Sequence, residues 1–288
     1  MDETRAPAAA SERESGELQI QPAGFLLLLS LDWIVLRASE NVDDFLGESH
    51  VTLIDEPFGR FVQAQALHDL RNLFSRLSGS TGIAKAYRVR LTDDRPRYDI
   101  AFQVSEGRVL LEGAPSPERG DGAAIGSVGG LIDGLSEYRG DALLDAAARR
   151  VRALTGCDRS LILYRDENGE RTAHNCRGSA DAPTLIQDLP PIVTDTAAAA
   201  ASVFPRKPGK RSNVPALLRS PSDEVVQRLR EQEIACAMSV PLAFEGRDLG
   251  LIQCHNGSPR GPNFELHAAV ELFAQMLATR LELERLRG

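Results

Sequence analysis

The chain has few cysteines and lacks the short motifs that mark common enzyme chemistries. Its four cysteines lie at positions 157, 176, 236 and 254, so no two of them form a CxxC pair. This spacing fits neither a zinc ribbon nor a disulfide framework, and it favours a reducing, cytoplasmic setting. The chain also has no phosphate-binding glycine loop, no HExxH and no GxSxG. We therefore expect neither a metal site nor an enzyme.

Long apolar runs are missing as well. The best candidate, GFLLLLSLDWIVL at 24–36, is too short to cross a bilayer and contains Asp32. The segment 1–17 is acidic and polar, which does not fit a signal peptide and predicts disorder. The formal net charge of −8 argues against a nucleic-acid partner. These features predict a cytoplasmic protein that binds neither membranes nor nucleic acid.

The remaining composition, 42% hydrophobic and 26% charged, is that of a packed globular protein, and 288 residues favour two domains. In the first part, two strands are predicted around a turn at Leu31, followed by a helix over 56–77. Three strands of period two follow, up to about residue 113. Together they predict a small antiparallel sheet with helices on one face. A segment rich in proline, glycine and serine, 114–130, is predicted to separate the domains.

The second part begins with an amphipathic helix over 140–156 and a short buried strand, SLILYR. The low periodicity of 168–215 predicts a long loop, whose basic run PRKPGKR is either solvated or an anion-binding patch. A helix capped by Ser222 and a strand hairpin come next. The last helix has an apolar stripe at steps of three and four, which predicts a seam against another helix. The stripe consists of Leu266, Val270, Phe273, Leu277 and Leu281.

Cys254 and His255 stand side by side at the end of an apolar strand, LGLIQCH. A thiol and an imidazole are the side chains of many metal sites and catalytic dyads. Adjacent side chains of a strand point to opposite faces, however, so these two cannot reach one ligand without a bulge. We therefore expect Cys254 to be a buried packing residue, and His255 to be the one that faces a ligand.

Several stretches follow one another in a characteristic order: LDWIVLRASENVDDFLG, LTGCDRSLILYRDENG, LREQEIACAMSVPLAFEGRDLGLIQCHNGSPR and the long terminal helix. Together they resemble the PAS–GAF core of bacterial phytochromes. The resemblance implies an α/β (α+β) fold class, with two antiparallel sheets each flanked by helices. It assigns 18–115 to a PAS domain, 116–138 to a linker, and 139–288 to a GAF domain ending in a dimerisation helix. It also implies a figure-eight knot, with QIQPAG threaded through a lasso at about 192–222.

The resemblance also carries expectations about a chromophore. Members of this family hold biliverdin, a linear tetrapyrrole, and bacterial members attach it to a cysteine before the PAS domain. Ser11 stands at that position here, and a serine hydroxyl does not ionise as a thiol does. The family's other attachment cysteine and the histidine after it correspond to Glu224 and Val225, and Arg228 replaces a pocket tyrosine. The resemblance therefore implies that no bilin is attached covalently.

Five further positions match residues that line the family's chromophore pocket. By resemblance, Asp188 would meet the pyrrole nitrogens, Arg219 would pair with a propionate, and His255 would bond the terminal pyrrole ring. Tyr164 and Ser239 complete the set. A buried carboxylate, a planar guanidinium and an imidazole suit a flat ligand with polar edges. If this pocket is retained, biliverdin would bind without a covalent bond.

Three functions remain open from the sequence. The first is a sensory or regulatory module derived from a phytochrome, without covalent bilin and with no chromophore required. The second is a photoreceptor that binds biliverdin non-covalently, and the third is a pure protein-interaction module. In each of them we expect a homodimer through the C-terminal helix and output to a partner signalling protein.

Overall fold

The computed structural model describes residues 17–76, 83–105, 107–117, 123–167, 169–178, 182–206 and 216–287. Ser11 lies outside the described residues, as does the segment predicted to be disordered, except for its last residue. Two antiparallel sheets, one of seven strands and one of five, organise the described chain. The predicted fold class, helices with antiparallel sheets, is confirmed.

The seven-stranded sheet is built mainly from the N-terminal half. The elements of that half are β1 (Gln19–Ile20), β2 (Phe25–Leu29), β3 (Val35–Ser39), α1 (Val42–Leu46), α2 (His50–Leu53), a 3-10 helix (Phe58–Arg60), α3 (Ala64–Ser75), β4 (Ala84–Val89), β5 (Tyr98–Ser105) and β6 (Arg108–Pro115). All five residues of β2 are buried. Phe25 and Leu27 pack under the helices, while Leu26 and Leu28 pack on the opposite face. A strand covered on both faces favours such a continuous apolar run over alternation.

The single helix predicted over 56–77 is interrupted. After the 3-10 turn, Gln63 is extended, with φ −59° and ψ 139°, and α3 begins only at Ala64. The N–H of Gln63 donates to the carbonyl of Leu91 at 2.8 Å. This hydrogen bond to a residue distant in sequence holds Gln63 out of the helical conformation, and hydrophobic periodicity cannot reveal it.

The C-terminal half supplies the five-stranded sheet, in the order β8-β7-β12-β11-β9. The elements of this half are α4 (Ala123–Asp133), α5 (Gly140–Thr155), β7 (Arg159–Asp166), β8 (Gly169–Cys176), β9 (Ile192–Val193), β10 (Ala201–Phe204), α6 (Asp223–Glu231), β11 (Cys236–Phe244), β12 (Arg247–Asn256) and α7 (Phe264–Arg287). Helices α4, α5 and α7 share one core with the sheet. The predicted cap of α6 is present, because the Ser222 hydroxyl accepts the Val225 N–H at 3.3 Å.

The segment predicted as a linker, 116–138, contains a whole packed helix, α4. Val128 of α4 and Leu135 just after it are fully buried in the core of the five-stranded sheet. Helix α4 packs against α7. The glycines of this segment lower its helix propensity and hide the helix from a prediction based on composition. From residue 123 onward, the segment therefore belongs to the second core.

The apolar stripe of α7 is used inside the chain. Val270, Phe273, Leu277 and Leu281 are buried in the core shared with α4, α5 and the sheet, and Leu266 is half-buried. The seam does meet another helix, as the spacing predicted, but that helix belongs to the same chain. The stripe is therefore not available to a second chain, and a dimer through α7 would have to use the opposite face.

One strand of the seven-stranded sheet comes from the second half of the sequence. Strand β10 pairs antiparallel with β3 on one edge and with β1 on the other. On the far side of β1, the N–H of Gln21 donates to the carbonyl of Leu218 at 2.9 Å. The chain around β1 therefore lies between 201–204 and 216–220, two described parts of the segment at about 192–222 that was predicted to form the lasso. The knot itself stays a prediction.

Two buried polar contacts also join the halves. Glu112 of β6 is 2% exposed, and its carboxylate accepts the N–H groups of Leu217 and Leu218, both at 2.8 Å. Lys85 of β4 forms an ion pair with Glu271 of α7, and its side chain is 7% exposed. A buried charge is stable only with partners of this kind. These contacts fix the N-terminal sheet against segments that follow it by more than 100 residues.

Candidate functional site

The two faces of the five-stranded sheet have different surroundings. Ile162, Tyr164 and Cys254 pack with α5 and α7 on one face. Because successive residues of a strand alternate, His255 points to the other face, as the sequence predicted. The hydrogen bond with Cys157, together with burial, raises the pKa of the Cys254 thiol well above its ordinary value. Such a thiol stays protonated and unreactive, so the pair is not a catalytic dyad.

No group of three or more His, Cys, Asp and Glu side chains that could hold a metal ion occurs within the described residues. The prediction that no metal site exists rests on the whole sequence, and this observation covers only the described part of it.

His255 is the most unusual polar group on the other face. It is 1% exposed, and neither of its ring nitrogens has a hydrogen-bond partner among the described residues. Burial, together with the charge of Arg159 on the neighbouring strand, lowers the pKa of His255 to about 4. The imidazole is therefore neutral at pH 7, with one nitrogen able to donate and the other able to accept.

The centre of this face is covered by the chain itself. The side-chain oxygen of Gln253 accepts the N–H of Ile186 at 3.0 Å, and its nitrogen donates to the carbonyl of Ile186 at 2.6 Å. This two-way contact pins the loop around residue 186 on the sheet. An apolar cluster then fills the space between the sheet, this loop and α6. Its buried members are Ile186, Val193, Val225, Leu229, Ile234 and Ala237.

Two of the predicted pocket residues do not face this side. Tyr164 lies in the core under the helices, with the guanidinium of Arg171 5.0 Å from its ring centre. Asp188 is exposed and has a left-handed backbone, with φ 56°. The motif predicted a buried carboxylate, but the turn at Asp188 carries this side chain out to solvent. The expected set of five is therefore not brought together.

The other two predicted positions are half-buried and serve the backbone framework. Arg219 forms a bridge with Ile20 in β1, and its carbonyl accepts the side-chain amide of Gln21 at 3.3 Å. Ser239 lies opposite Gln253 in the β11–β12 hairpin, on the same face as His255. Of the predicted pocket residues, Ser239 and His255 therefore share a face, and Arg219 lies on the segment that pairs with β1.

The altered positions on α6 point in different directions. Val225 is 3% exposed and belongs to the apolar cluster over the sheet. Glu224 and Arg228 face outward and form an ion pair at 2.6 Å, one helical turn apart. The guanidinium of Arg228 therefore lies on the outer side of α6. The residue that faces inward beside it is Leu229, which is fully buried.

The space that remains on this face is an open cleft of about 670 Å³ at the end of β12. His255 lines it together with Arg159, Arg177 and Arg230. These three arginines and Gln253 were not predicted from the sequence. Arg159 was detectable in principle, because the start of β7 pairs with the end of β12, where His255 stands. Arg177 and Arg230 reach the cleft only through the folding of a loop and a helix, which periodicity does not predict.

Comparison with known families identifies both domains. The profile of the GAF domain family matches residues 139–284, and that of the PAS fold family matches residues 14–113. Because the first match covers half of the chain, the chain belongs to the GAF domain family.

Two relatives with known names align with nearly the whole chain. The phytochrome-like protein Cph1 of Synechocystis is 23% identical over 92% of this chain and 39% of its own length. A bacteriophytochrome of Pseudomonas aeruginosa is 25% identical over 91% of this chain and 39% of its own length. The chain thus spans well under half the length of these two relatives.

Solved structures show the same architecture. The wild-type chromophore-binding domain of Stigmatella aurantiaca phytochrome P1 aligns with a TM-score of 0.77 at 25% identity, covering 95% of this chain and 99% of that one. The chromophore-binding domain of the R. palustris bacteriophytochrome RpBphP3 aligns with a TM-score of 0.78 at 22% identity, covering 96% and 99%. The second likeness shows the fold alone.

Fold and comparisons together define a PAS–GAF core of the bacteriophytochrome type. The named relatives support a sensory signalling module. In the described part of the chain, no helix has the length and apolar character needed to span a membrane.

Proposed function

We propose that the chain is a sensory signalling module with the phytochrome PAS–GAF fold that works without a covalently bound bilin. The observation that carries this proposal is that the chain itself covers the face of the five-stranded sheet on which His255 lies. Ile186, Val225, Leu229 and Ile234 are each at most 3% exposed and occupy the space over the sheet. A linear tetrapyrrole on this face would have to displace them, at about 1.5–3 kcal/mol for each aliphatic side chain returned to water.

The chemistry of attachment supports the same proposal. A thioether needs a thiolate beside the bilin, and the two positions where the family places one carry Ser11 and Glu224. Glu224 also faces solvent, in an ion pair with Arg228. The exposed carboxylate of Asp188 adds to this, because it lies away from the face that would hold the pyrrole nitrogens. The role proposed for this chain is regulatory.

The decisive experiment separates a missing nucleophile from a missing pocket. The wild-type protein and the Ser11→Cys variant are each incubated with biliverdin, denatured, and examined for zinc-dependent fluorescence on a gel. We expect no adduct from either, because restoring the thiol does not reopen the sheet face. A denaturation-resistant adduct on the wild type would overturn the proposal. An adduct on Ser11→Cys alone would show that the pocket is intact and that only the nucleophile is absent.

A second candidate, a photoreceptor that binds biliverdin non-covalently, is favoured by one observation. The two ring nitrogens of His255, which have no partner among the described residues, are the kind of group that bonds a pyrrole carbonyl or N–H. In this case biliverdin would give a red-shifted absorption band that His255→Phe removes. Asp188→Asn would serve as the control and leave the band unchanged, because the Asp188 side chain is exposed. The absence of a red-shifted band with the wild type would exclude this candidate.

Signal output is proposed to run through the outer face of α7. Leu272, Leu283 and Leu286 are 37%, 47% and 72% exposed. With the exposed Thr279 and the half-buried Met276, which also packs against the edge of the core, they repeat at steps of four and three along the outer side of α7. This is the spacing of a two-helix seam, and exposed leucines in such a row favour a second copy of α7 as their partner.

Light scattering tests the dimer with two matched leucines. Leu283→Glu places a charge in the proposed seam, and we expect it to convert a dimer into a monomer. Leu31→Glu is the control, because Leu31 is 56% exposed but lies in the β2–β3 turn. A dimer that survives Leu283→Glu, or a wild-type protein that is already monomeric, would refute the role of this face.

A further inference from the structure

The cleft beside His255 gathers positive charge from three separate elements. Arg159 begins β7, Arg177 follows directly after β8, and Arg230 lies near the end of α6. The backbone draws the first two together, since the N–H of Arg177 donates to the carbonyl of Asp158 at 2.8 Å. The side chain of Arg230 is oriented by a 2.6 Å hydrogen bond to the carbonyl of Thr196. Three distant parts of the sequence therefore present guanidinium groups to one space.

These guanidinium groups keep most of their hydrogen-bonding capacity. None of the three forms an ion pair with a described residue. Within the described residues, Arg159 donates to the carbonyl of Gln232 at 3.1 Å and Arg230 donates to the carbonyl of Thr196 at 2.6 Å. A guanidinium has five N–H donors in a planar fork that matches the two oxygens of a carboxylate or phosphate. The cleft therefore has donors and charge that the described chain does not use.

His255 is a second and independent sign of a ligand. It lines the same cleft, is 1% exposed, and has no partner for either ring nitrogen within the described part of the chain. A buried polar group without a hydrogen bond costs about 1–3 kcal/mol, so such groups are rare unless water or a ligand completes them. The cleft therefore combines unused cationic donors with an unused buried imidazole.

We propose that this cleft binds a small organic anion, whose carboxylate or phosphate group is held by Arg159, Arg177 and Arg230 while a polar atom of the ligand bonds His255. The proposal rests on the proposed function, because it assumes that no tetrapyrrole occupies this face. Asp158 and Glu233 also line the cleft, so three guanidinium groups stand against two carboxylates. The Asp158 carboxylate already accepts the N–H of Gly257 at 3.0 Å. The single net positive charge suits a small ligand of low charge.

Calorimetric titration of the full chain tests this proposal with two probes, inorganic phosphate and succinate, in separate runs. We expect one of the two to bind with one-to-one stoichiometry and to bind more weakly as salt is added. Binding of phosphate alone would assign the site to phosphate esters, and binding of succinate alone would assign it to carboxylic acids. Failure of both probes to bind would overturn the proposal, and the proposed function would stand, because its own test uses biliverdin.

Two exposed arginines make a matched pair of variants. Arg177→Gln removes one guanidinium from the cleft and should weaken binding about tenfold, the usual effect of losing a charge-assisted hydrogen bond. Arg149→Gln is the control, because Arg149 is exposed on α5 and does not line the cleft. Equal affinity in both variants would show binding elsewhere on the surface and overturn the assignment.

The imidazole supplies a readout that is independent of affinity. The chain has five histidines, and the ring signals of His255 can be assigned in a 15N spectrum by comparison with His255→Phe. The bound probe should shift the nitrogen resonances of His255 in the wild type, and the exposed His174 should keep its own. Unchanged His255 resonances at a probe concentration that saturates the calorimetric signal would remove this residue from the site.

Discussion

Glu112 offers a sharp test of how the two halves of the chain are joined. Burial raises the pKa of this carboxyl from 4.5 to about 7, although the N–H groups of Leu218 and Leu217 and the charge of Lys85 act in the opposite direction. The folded protein therefore keeps a proton over a range in which the unfolded chain has lost it. This contribution to stability is complete below pH 4.5 and is lost as the pH rises through 7.

His255 acts in the opposite sense over the same range. Its pKa falls from 6.5 to about 4 on folding, so its contribution is present above pH 6.5 and is lost as the pH falls through 4. Between pH 5 and pH 8, these pKa values imply that Glu112 removes about 2.5 kcal/mol of stability while His255 adds about 2 kcal/mol. The two contributions nearly cancel, so we expect the wild-type free energy of unfolding to be almost level.

Substitution of either group should reveal the pH dependence of stability that the other group contributes. In Glu112→Gln, the free energy of unfolding should rise by about 2 kcal/mol from pH 5 to pH 8, because only His255 still titrates. In His255→Phe, it should fall by about 2.5 kcal/mol over the same interval. Urea unfolding at each pH measures this, with the fluorescence of Trp33 as the signal. Trp33 is the only tryptophan of the chain and is 3% exposed.

The test compares how the free energy of unfolding changes with pH in each variant. It is therefore independent of any change in absolute stability. Glu112→Gln also loses one acceptor for the backbone N–H groups, but that loss is the same at every pH. An exposed carboxyl, Glu48, provides the control, and Glu48→Gln should keep the wild-type profile. If Glu112→Gln had the same pH profile as the wild type, the carboxyl would not hold a proton near neutral pH and the reasoning would be refuted.

Four further substitutions test the framework by urea unfolding. Gly250→Ala should destabilise the protein by at least about 2 kcal/mol, since φ is +131° and a Cβ would lie 2.0 Å from a backbone oxygen of β7. Gly126→Ala is the matched control on α4, where a Cβ meets no other atom, and it should raise the free energy of unfolding by about 0.5–1 kcal/mol. Lys85→Met should cost about 1–3 kcal/mol by removing its ion pair with Glu271 of α7, whose carboxylate then keeps the contact with His267. Ser222→Ala should cost about 1 kcal/mol by removing the α6 cap. A Gly250→Ala protein as stable as the wild type would contradict the contacts described, and so would no loss of stability in Lys85→Met or Ser222→Ala.

Local signals in the sequence predicted the elements that depend on neighbouring residues. The β11–β12 hairpin, the Ser222 cap and the separation of Cys254 from His255 all follow from turn chemistry or from strand alternation. The resemblance to phytochromes added the order of the two domains. Each of these rests on a pattern shorter than about 30 residues or on a familiar run of motifs.

The features that the sequence did not reveal depend on contacts between distant residues. Gln63 is held extended by Leu91, and the stripe on α7 meets α4 of its own chain. Asp188 matches a family motif, yet a left-handed turn at this residue exposes its side chain. The arginines of the cleft also depend on distant contacts, because three separate segments bring them together. A pattern read along one segment cannot predict which other segment will pack against it.

The shared seven-stranded sheet has a consequence for how such proteins are built and inherited. Strand β10 covers one edge of β3, although the two lie more than 150 residues apart in sequence. An N-terminal domain produced alone would present the bare edge of β3 to solvent, where it could pair with other molecules and aggregate. Gene recombination that cut between the two domains would create the same defect. The two domains are therefore expected to be inherited together. They should also be engineered as one unit, with truncation boundaries placed outside it.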